Sequence, residues 1–417
     1  MNALERKIYN VIADYPWIRK SVVAIYQKLF SIIPGAVFEP IDNLKVIEGC
    51  FYGFHDKVPW SYDNKYLLAH RYDKKKSPIE AERLPIEIGF VKNDGSFQAI
   101  AYSNCWNWQQ GSMLQWLGRE GIFAFNNYTQ HECIQIYNTS GDKIKEVNGH
   151  MGVAHPDGKR VLGFSFGRLS KATDEYGYQH FNAKHVEKNA PIEDGLWSID
   201  IELDTRSLIV SLNELSERDT NESMTNAYHY VTHTTYNSCG DAYVFLHRWK
   251  SITGKLYSRL YIGDSLTNTL RYFPIYDTSH ISWDGNDHLF IYGWLHKNNP
   301  SYLRLCAKTL LVTPVLLNIP NVDGHPQVNE GRFAVTDSYP DRSRIQSLYV
   351  CNLQSGDCYL LQKSKIPFKF RYARRCDFHP RWNRNGTKIC FDSANTGVRS
   401  LCILEDFVHT DKRFKRM

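Results

Sequence analysis

Four stretches decide the fold: HTTYNSCGDAYVFL at 233–246, HISWDGNDHLFIY at 280–292, HPQVNEGRFAVTD at 325–337 and HPRWNRNGTKICFD at 379–392. Each begins on a histidine, passes a turn that contains glycine, and runs into apolar residues of strand character. The histidines stand 47, 45 and 54 residues apart, the length of a four-stranded propeller blade. Three weaker copies precede them: MGVAHPDGKRVLGF with Met151 in the histidine position, MLQWLGREGIFAF with Met113 there, and KVPWSYDNKYLLAH with Lys57 there and His55 just before it. A second pair of strands follows each copy, as in LWSIDIEL then SLIVSL, or SLYVCNL then CYLLQ. The chain therefore reads as all-β, one seven-bladed β-propeller over residues 37–417. The final run, RSLCILEDF, has no copy after it. It is expected to complete the first blade, which would close the ring and remove free edges.

Residues 1–36 differ from the rest. Ile18, Val22, Ile25, Leu29 and Ile32 recur at helical spacing, with Arg19, Lys20 and Lys28 on other faces. This predicts a short amphipathic helical extension. Residues 3–33 could dock on the propeller or make a peripheral membrane or glycosyltransferase contact. The segment lacks the continuous apolar core of a signal peptide, so a cytoplasmic location, with or without membrane association, is the expectation.

Ten cysteines with no CxxC pair read as reduced and buried rather than as a disulfide framework, although Cys351 and Cys358 flank a turn and could face each other. A net charge of +6 over 417 residues and no recognisable motif exclude a nucleic-acid role. No phosphate-cradling glycine loop suggests a nucleotide, and no organic cofactor is indicated.

A histidine just before the innermost strand of successive blades forms a ring at one face of the channel. The loops joining second and third strands open on the same face. They include the longest, 168–195, and loops bearing FLHRW and DSYPDR. Four neighbouring imidazoles suit a divalent cation such as Mn, Zn or Ca, or proton transfer near neutral pH. A packing role for the histidines is the competing reading, but packing alone would recur in blades one to three. Arg168, Arg248, Tyr339, Asp341, Arg342, Arg375, Asp377 and Arg381 gather on that face. Arginine or a cation to neutralise a carboxylate, histidine to take the α-proton and tyrosine to protonate the leaving oxygen are what β-elimination on a uronic acid requires. The segment CWNWQQGSMLQWLG from Cys105 offers either packing between the first two blades or a sugar platform of Trp106, Trp108 and Gln110. Tyr178, in the long loop, is a further candidate for substrate binding.

The stretches WNWQQGSMLQWLG, PDGKRVLGFSFGRL, FLHRW, DGHPQVNEGRFAVTDSYPD and RCDFHPRWNRNGTKICFDSANTG resemble seven-bladed propeller proteins related to oligogalacturonate lyases and to the propeller-type ulvan and rhamnose–glucuronate lyases. The resemblance covers most of residues 50–405. It implies a lyase acting on an acidic polysaccharide or oligosaccharide. It also implies His280, His325 and His379 as metal ligands, with His233 free as a base; the glutamine that completes the family's metal set is not reproduced at the family's spacing. The alternative is a non-catalytic propeller that binds a glycan or a protein partner in surface-polysaccharide synthesis.

Overall fold

In a computed structural model, residues 44–405 are described except 120, 179–183, 298, 321–322 and 330, together with Val22, Ile25, Tyr26, Lys28 and Leu29. Those five are helical, and the rest of the expected extension lies outside the described residues. No described helix is long and apolar enough to cross a membrane.

Seven four-stranded antiparallel sheets follow one another along the chain. Blade four shows the pattern: Tyr228–Tyr236, Ala242–Lys250, Leu256–Asp264 and Leu270–Tyr272 pair in sequence order. The second strands read as continuous buried runs, such as Val244 to Leu246 and Leu289 to Tyr292, because each sheet is covered on both faces by its neighbours. Blades four and five thus share one core of Val244, Leu246, Ile262, Ile281, Ile291 and Leu303.

The ring closes differently from expectation. Blade seven holds Arg381–Trp382, Ile389–Ser393 and Ser400–Leu404, and its outermost strand is Leu44–Glu48 from the N-terminal side. The register runs from Leu44 opposite Leu404 to Glu48 opposite Ser400. The last run is therefore the third strand of blade seven, not part of blade one. The C-terminal segment supplies three strands, so the edge left open is on blade seven, and the strand before blade one fills it.

A second correction concerns FLHRW, which is strand rather than loop: Arg248 lies inside Ala242–Lys250, opposite Tyr230. A third concerns the cysteines. Cys351 and Cys358 oppose each other directly on the last two strands of blade six and form a disulfide; the remaining cysteines are free.

Candidate functional site

The repeated position behaves in two ways. Met113, Met151, His325 and His379 precede the innermost strands of their blades, whereas His233 and His280 lie inside theirs, where the ladder shifts register after Thr232 and Thr278. Met113, His233 and His379 take positive φ values of 57, 56 and 43°, a conformation that non-glycine residues rarely hold. Met151, His280 and His325 do not share that conformation, so the backbone at this position differs between copies of the repeat.

Blade one departs most. Its innermost strand pairs at Cys50–Phe51 and bridges again at Trp60, and the segment between leaves the ladder. Gly53 allows the departure: its φ is +109°, and a Cβ there would lie 3.1 Å from the Gln109 carbonyl oxygen. The excursion carries Phe54 and His55 into the channel. The Phe54 ring centroid lies 5.0 Å from that of His233, 6.1 Å from His280, 6.2 Å from His325 and 5.1 Å from His379. His55 stands 5.6, 5.5 and 6.3 Å from His280, His325 and His379. The site thus holds five imidazoles around one phenyl ring.

Three of the imidazoles have an orienting partner at Nδ1. His325 Nδ1 pairs with Asp337 at 2.7 Å, His280 Nδ1 with Asp323 at 3.0 Å, and His55 Nδ1 with the Pro326 carbonyl at 2.7 Å. Donating Nδ1–H to an acceptor leaves the lone pair on Nε2, the tautomer a metal or a proton needs. His325 Nε2, His55 Nε2 and both nitrogens of His379 are buried without a hydrogen-bond partner. Within this group one nitrogen each from His325 and His379 and one oxygen from Asp377 lie within 4.8 Å of one another.

Burial sets the electrostatics. It holds His55, His233, His325 and His379 well below the usual imidazole value, and mutual repulsion adds to this. The same burial raises Asp337 to about 7, against the pull of the backbone N–H groups of His325 and His379 that it accepts. Tyr339 is raised well above the usual phenol value by burial, opposed by Arg375 beneath its ring at 4.9 Å. Its ring lies 5.3 Å from His325 and 6.1 Å from His280. Arg375 pairs with Asp377 through Nε and with Glu175 through Nη1 at 2.7 Å. Arg248 stands opposite Tyr230 on the neighbouring strand, and its charge helps depress His233.

His233, Tyr339, Arg375, Arg248, His280, His325 and His379 therefore share one neighbourhood. Other candidates sit elsewhere. Arg168 is buried: its guanidinium bonds Asp194 and the carbonyls of His229, Asn189, His185 and Lys188 while covering Tyr228. It pins the long loop and has no donor left for a ligand. Arg381 is fully buried and is held by the Gly53 carbonyl through Nη1 and by Asp392 through Nη2, with its Nε unpartnered. Tyr178 stacks on Phe166 and accepts from Asn126. Trp106 and Trp108 belong to the blade-one core and donate to the Leu84 and Pro78 carbonyls. Gln110 is buried against the backbone of Gly53, with Oε1 unpartnered. Arg342 is exposed on the loop 338–344. His280 is not a member of the converging set, where Asp377 stands instead. Sequence reasoning passed over Phe54, His55 and Asp323. His55 was visible only as a histidine two positions out of register, which is the trace of the excursion.

Fold and site together define a seven-bladed propeller with a buried imidazole–carboxylate cluster on its channel. Many solved structures are similar, and two of them are lyases. The oligogalacturonate lyase from Vibrio parahaemolyticus superposes with a TM-score of 0.60 at 14% identity, over 89% of this chain and 92% of that one. An oligogalacturonate lyase in complex with manganese gives 0.62 at 13%, over 86% and 90%. At such identity the likeness carries the fold. No family model and no curated protein matches the sequence.

Proposed function

We propose that the protein is a lyase that cleaves a uronic-acid glycan by β-elimination at the channel face. The observation that carries this reading is the converging set of His325, Asp377 and His379 beside Tyr339 and Arg375. The propeller fold shared with lyases, one of them solved with manganese, supports it.

The donors fit a metal. Two imidazole nitrogens without protein partners and one carboxylate oxygen suit Mn²⁺ or Zn²⁺. Ca²⁺, which takes about six to eight oxygens, is poorly served. When bound there, such a cation would neutralise a uronate carboxylate and acidify the adjacent carbon. Arg375 is placed to hold the same carboxylate. His233 is neutral at neutral pH, and with Nδ1–H on the Thr232 hydroxyl its lone pair sits at Nε2, as a base requires. Tyr339 stays protonated and can donate to the leaving oxygen.

The test is a panel of uronate glycans with Mn²⁺ or Zn²⁺ supplied, followed by the ultraviolet absorbance of the unsaturated product. Product that is lost on His325→Ala and His379→Ala together with bound metal supports the lyase. No product from any substrate refutes it. One observation favours the second reading, a non-catalytic propeller binding a glycan or a protein partner: His55, His325 and His379 show 0% exposure, so no sugar touches them in this conformation. Glycan retained on the protein without turnover would establish that reading.

A further inference from the structure

The imidazole ring is covered by a short piece of blade three. Tyr176 packs its ring 5.4 Å from His233 and 6.1 Å from Phe54. Its neighbour Glu175 reaches across the channel and pairs with Arg375 through both carboxylate oxygens. Among the described residues Arg375 is the one cation that Glu175 pairs with, whereas Arg375 keeps Asp377 as a second partner.

This piece is built to sit there. It follows the helix Phe166–Ala172 and ends at Tyr178, which is stacked on Phe166 at 4.5 Å. Between them Gly177 has a φ of +87°, and a Cβ there would lie 2.4 Å from Ser170 N and 2.5 Å from Phe166 O. Only glycine lets the chain fold back this tightly and aim Glu175 and Tyr176 at the channel. Both ends are anchored, the upstream one by the buried Arg168 and the downstream one by Tyr178. Between these anchors lie residues 173–177, which carry Glu175 and Tyr176. The Glu175 side chain is 36% exposed, so the latch lies at the solvent edge and not in the core.

We infer that Glu175 is an internal stand-in for a ligand carboxylate. It occupies the open side of Arg375 and holds Tyr176 shut over the ring until an external carboxylate displaces it. This rests on the lyase reading for the nature of that carboxylate, a uronate. The latch itself depends only on the contacts above. A planar guanidinium already committed to Asp377 has one remaining edge for a bidentate partner, so Glu175 and a uronate compete for it.

The experiment uses the whole chain and its Glu175→Gln variant. Diethyl pyrocarbonate acylates accessible neutral imidazoles, and peptide mass spectrometry reads His233. Core His70 supplies the reference rate. In the wild type His233 reacts slowly. In Glu175→Gln it is expected to react about tenfold faster, the factor that one charge-assisted hydrogen bond represents. Galacturonate should slow that reaction, and galactose, which lacks the carboxylate, should not. Unchanged His233 reactivity in the variant overturns the latch, even if the protein cleaves glycans. Equal effects of galacturonate and galactose overturn the competition. Faster reaction with selective protection by galacturonate, but no unsaturated product from any glycan, upholds this inference while refuting the lyase.

Discussion

Asp337 ends the second strand of blade six and Asp392 stands one residue before the end of that of blade seven, at the same position of the repeat. Both are fully buried, and both accept backbone N–H groups from an adjacent blade: His379 for Asp337, Tyr52 and Gly53 for Asp392. Their counter-charges differ. Asp392 is clamped by Arg381 at 2.9 Å and Arg399 at 2.7 Å. Asp337 has no arginine, only His325 Nδ1. One carboxylate therefore ties the ring together where it closes. The other, uncompensated and raised to about 7, orients an imidazole of the candidate site. The same blade-to-blade staple serves architecture with arginine beside it and chemistry with histidine beside it.

The largest expected effect strikes the closure. Asp392→Asn leaves two buried guanidinium groups without their carboxylate and should cost about 3–5 kcal/mol in denaturant unfolding. If the loss is below about 1 kcal/mol, the clamp is not what distinguishes this aspartate.

Asp337→Asn should do the reverse. A carboxyl already close to neutral loses little on becoming an amide, so stability should fall by about 1–2 kcal/mol. Affinity for Mn²⁺ or Zn²⁺ in calorimetric titration should drop about 10–100-fold, because a single amide oxygen cannot serve both the backbone N–H groups of His325 and His379 and the His325 Nδ1–H that sets its tautomer. Equal destabilisation by both variants would erase the contrast.

The pH dependence sharpens it further. His55, His233, His325 and His379 have lowered values in the folded state, so the unfolded chain takes up protons first as pH falls through the ordinary imidazole range. Their stability is present above that range and is lost below it, at about 1.4 kcal/mol per pH unit for each imidazole. Asp337 acts oppositely. Raised from 3.8 to about 7, it binds its proton in the folded state first, so its contribution declines as pH rises between those values. In chelator-treated protein, Asp337→Asn should therefore steepen the gain of stability from pH 5 to 7 by about 1.4 kcal/mol per unit. An unchanged slope would show that Asp337 is ionised throughout.

The blade repeat was legible because a period of 45–54 residues with turn chemistry survives in the sequence. The asymmetry of the ring was legible too, since His233, His280, His325 and His379 stand out against Met113 and Met151. What escaped depends on the path of the chain in space. Closure by Leu44–Glu48 leaves no trace in the repeat, because an outer strand is only a short apolar run. His55 was hidden by the Gly53 excursion. Asp377 lay two residues before His379, yet nothing local says that its oxygen meets both imidazoles. The arginines were the hardest to sort. Arg168, Arg375 and Arg381 are alike in sequence, and only their partners show which are spent on the scaffold.

The smallest effect separates scaffold from site at the tryptophans. Trp106 sits in the blade-one core, 5.0 Å from Trp108 and 6.1 Å from Phe51, with its indole N–H on the Leu84 carbonyl at 2.9 Å. Trp106→Phe keeps an aromatic ring but removes that donor and part of the packed surface. The expected cost is about 1–2 kcal/mol. Because Trp106 is packed and does not line the imidazole ring, galacturonate protection of His233 should be unaltered. A weakened ligand with stability unchanged would mean that the indole forms a sugar platform after all, and the division between scaffold and site would have to be redrawn to include blade two's entry segment.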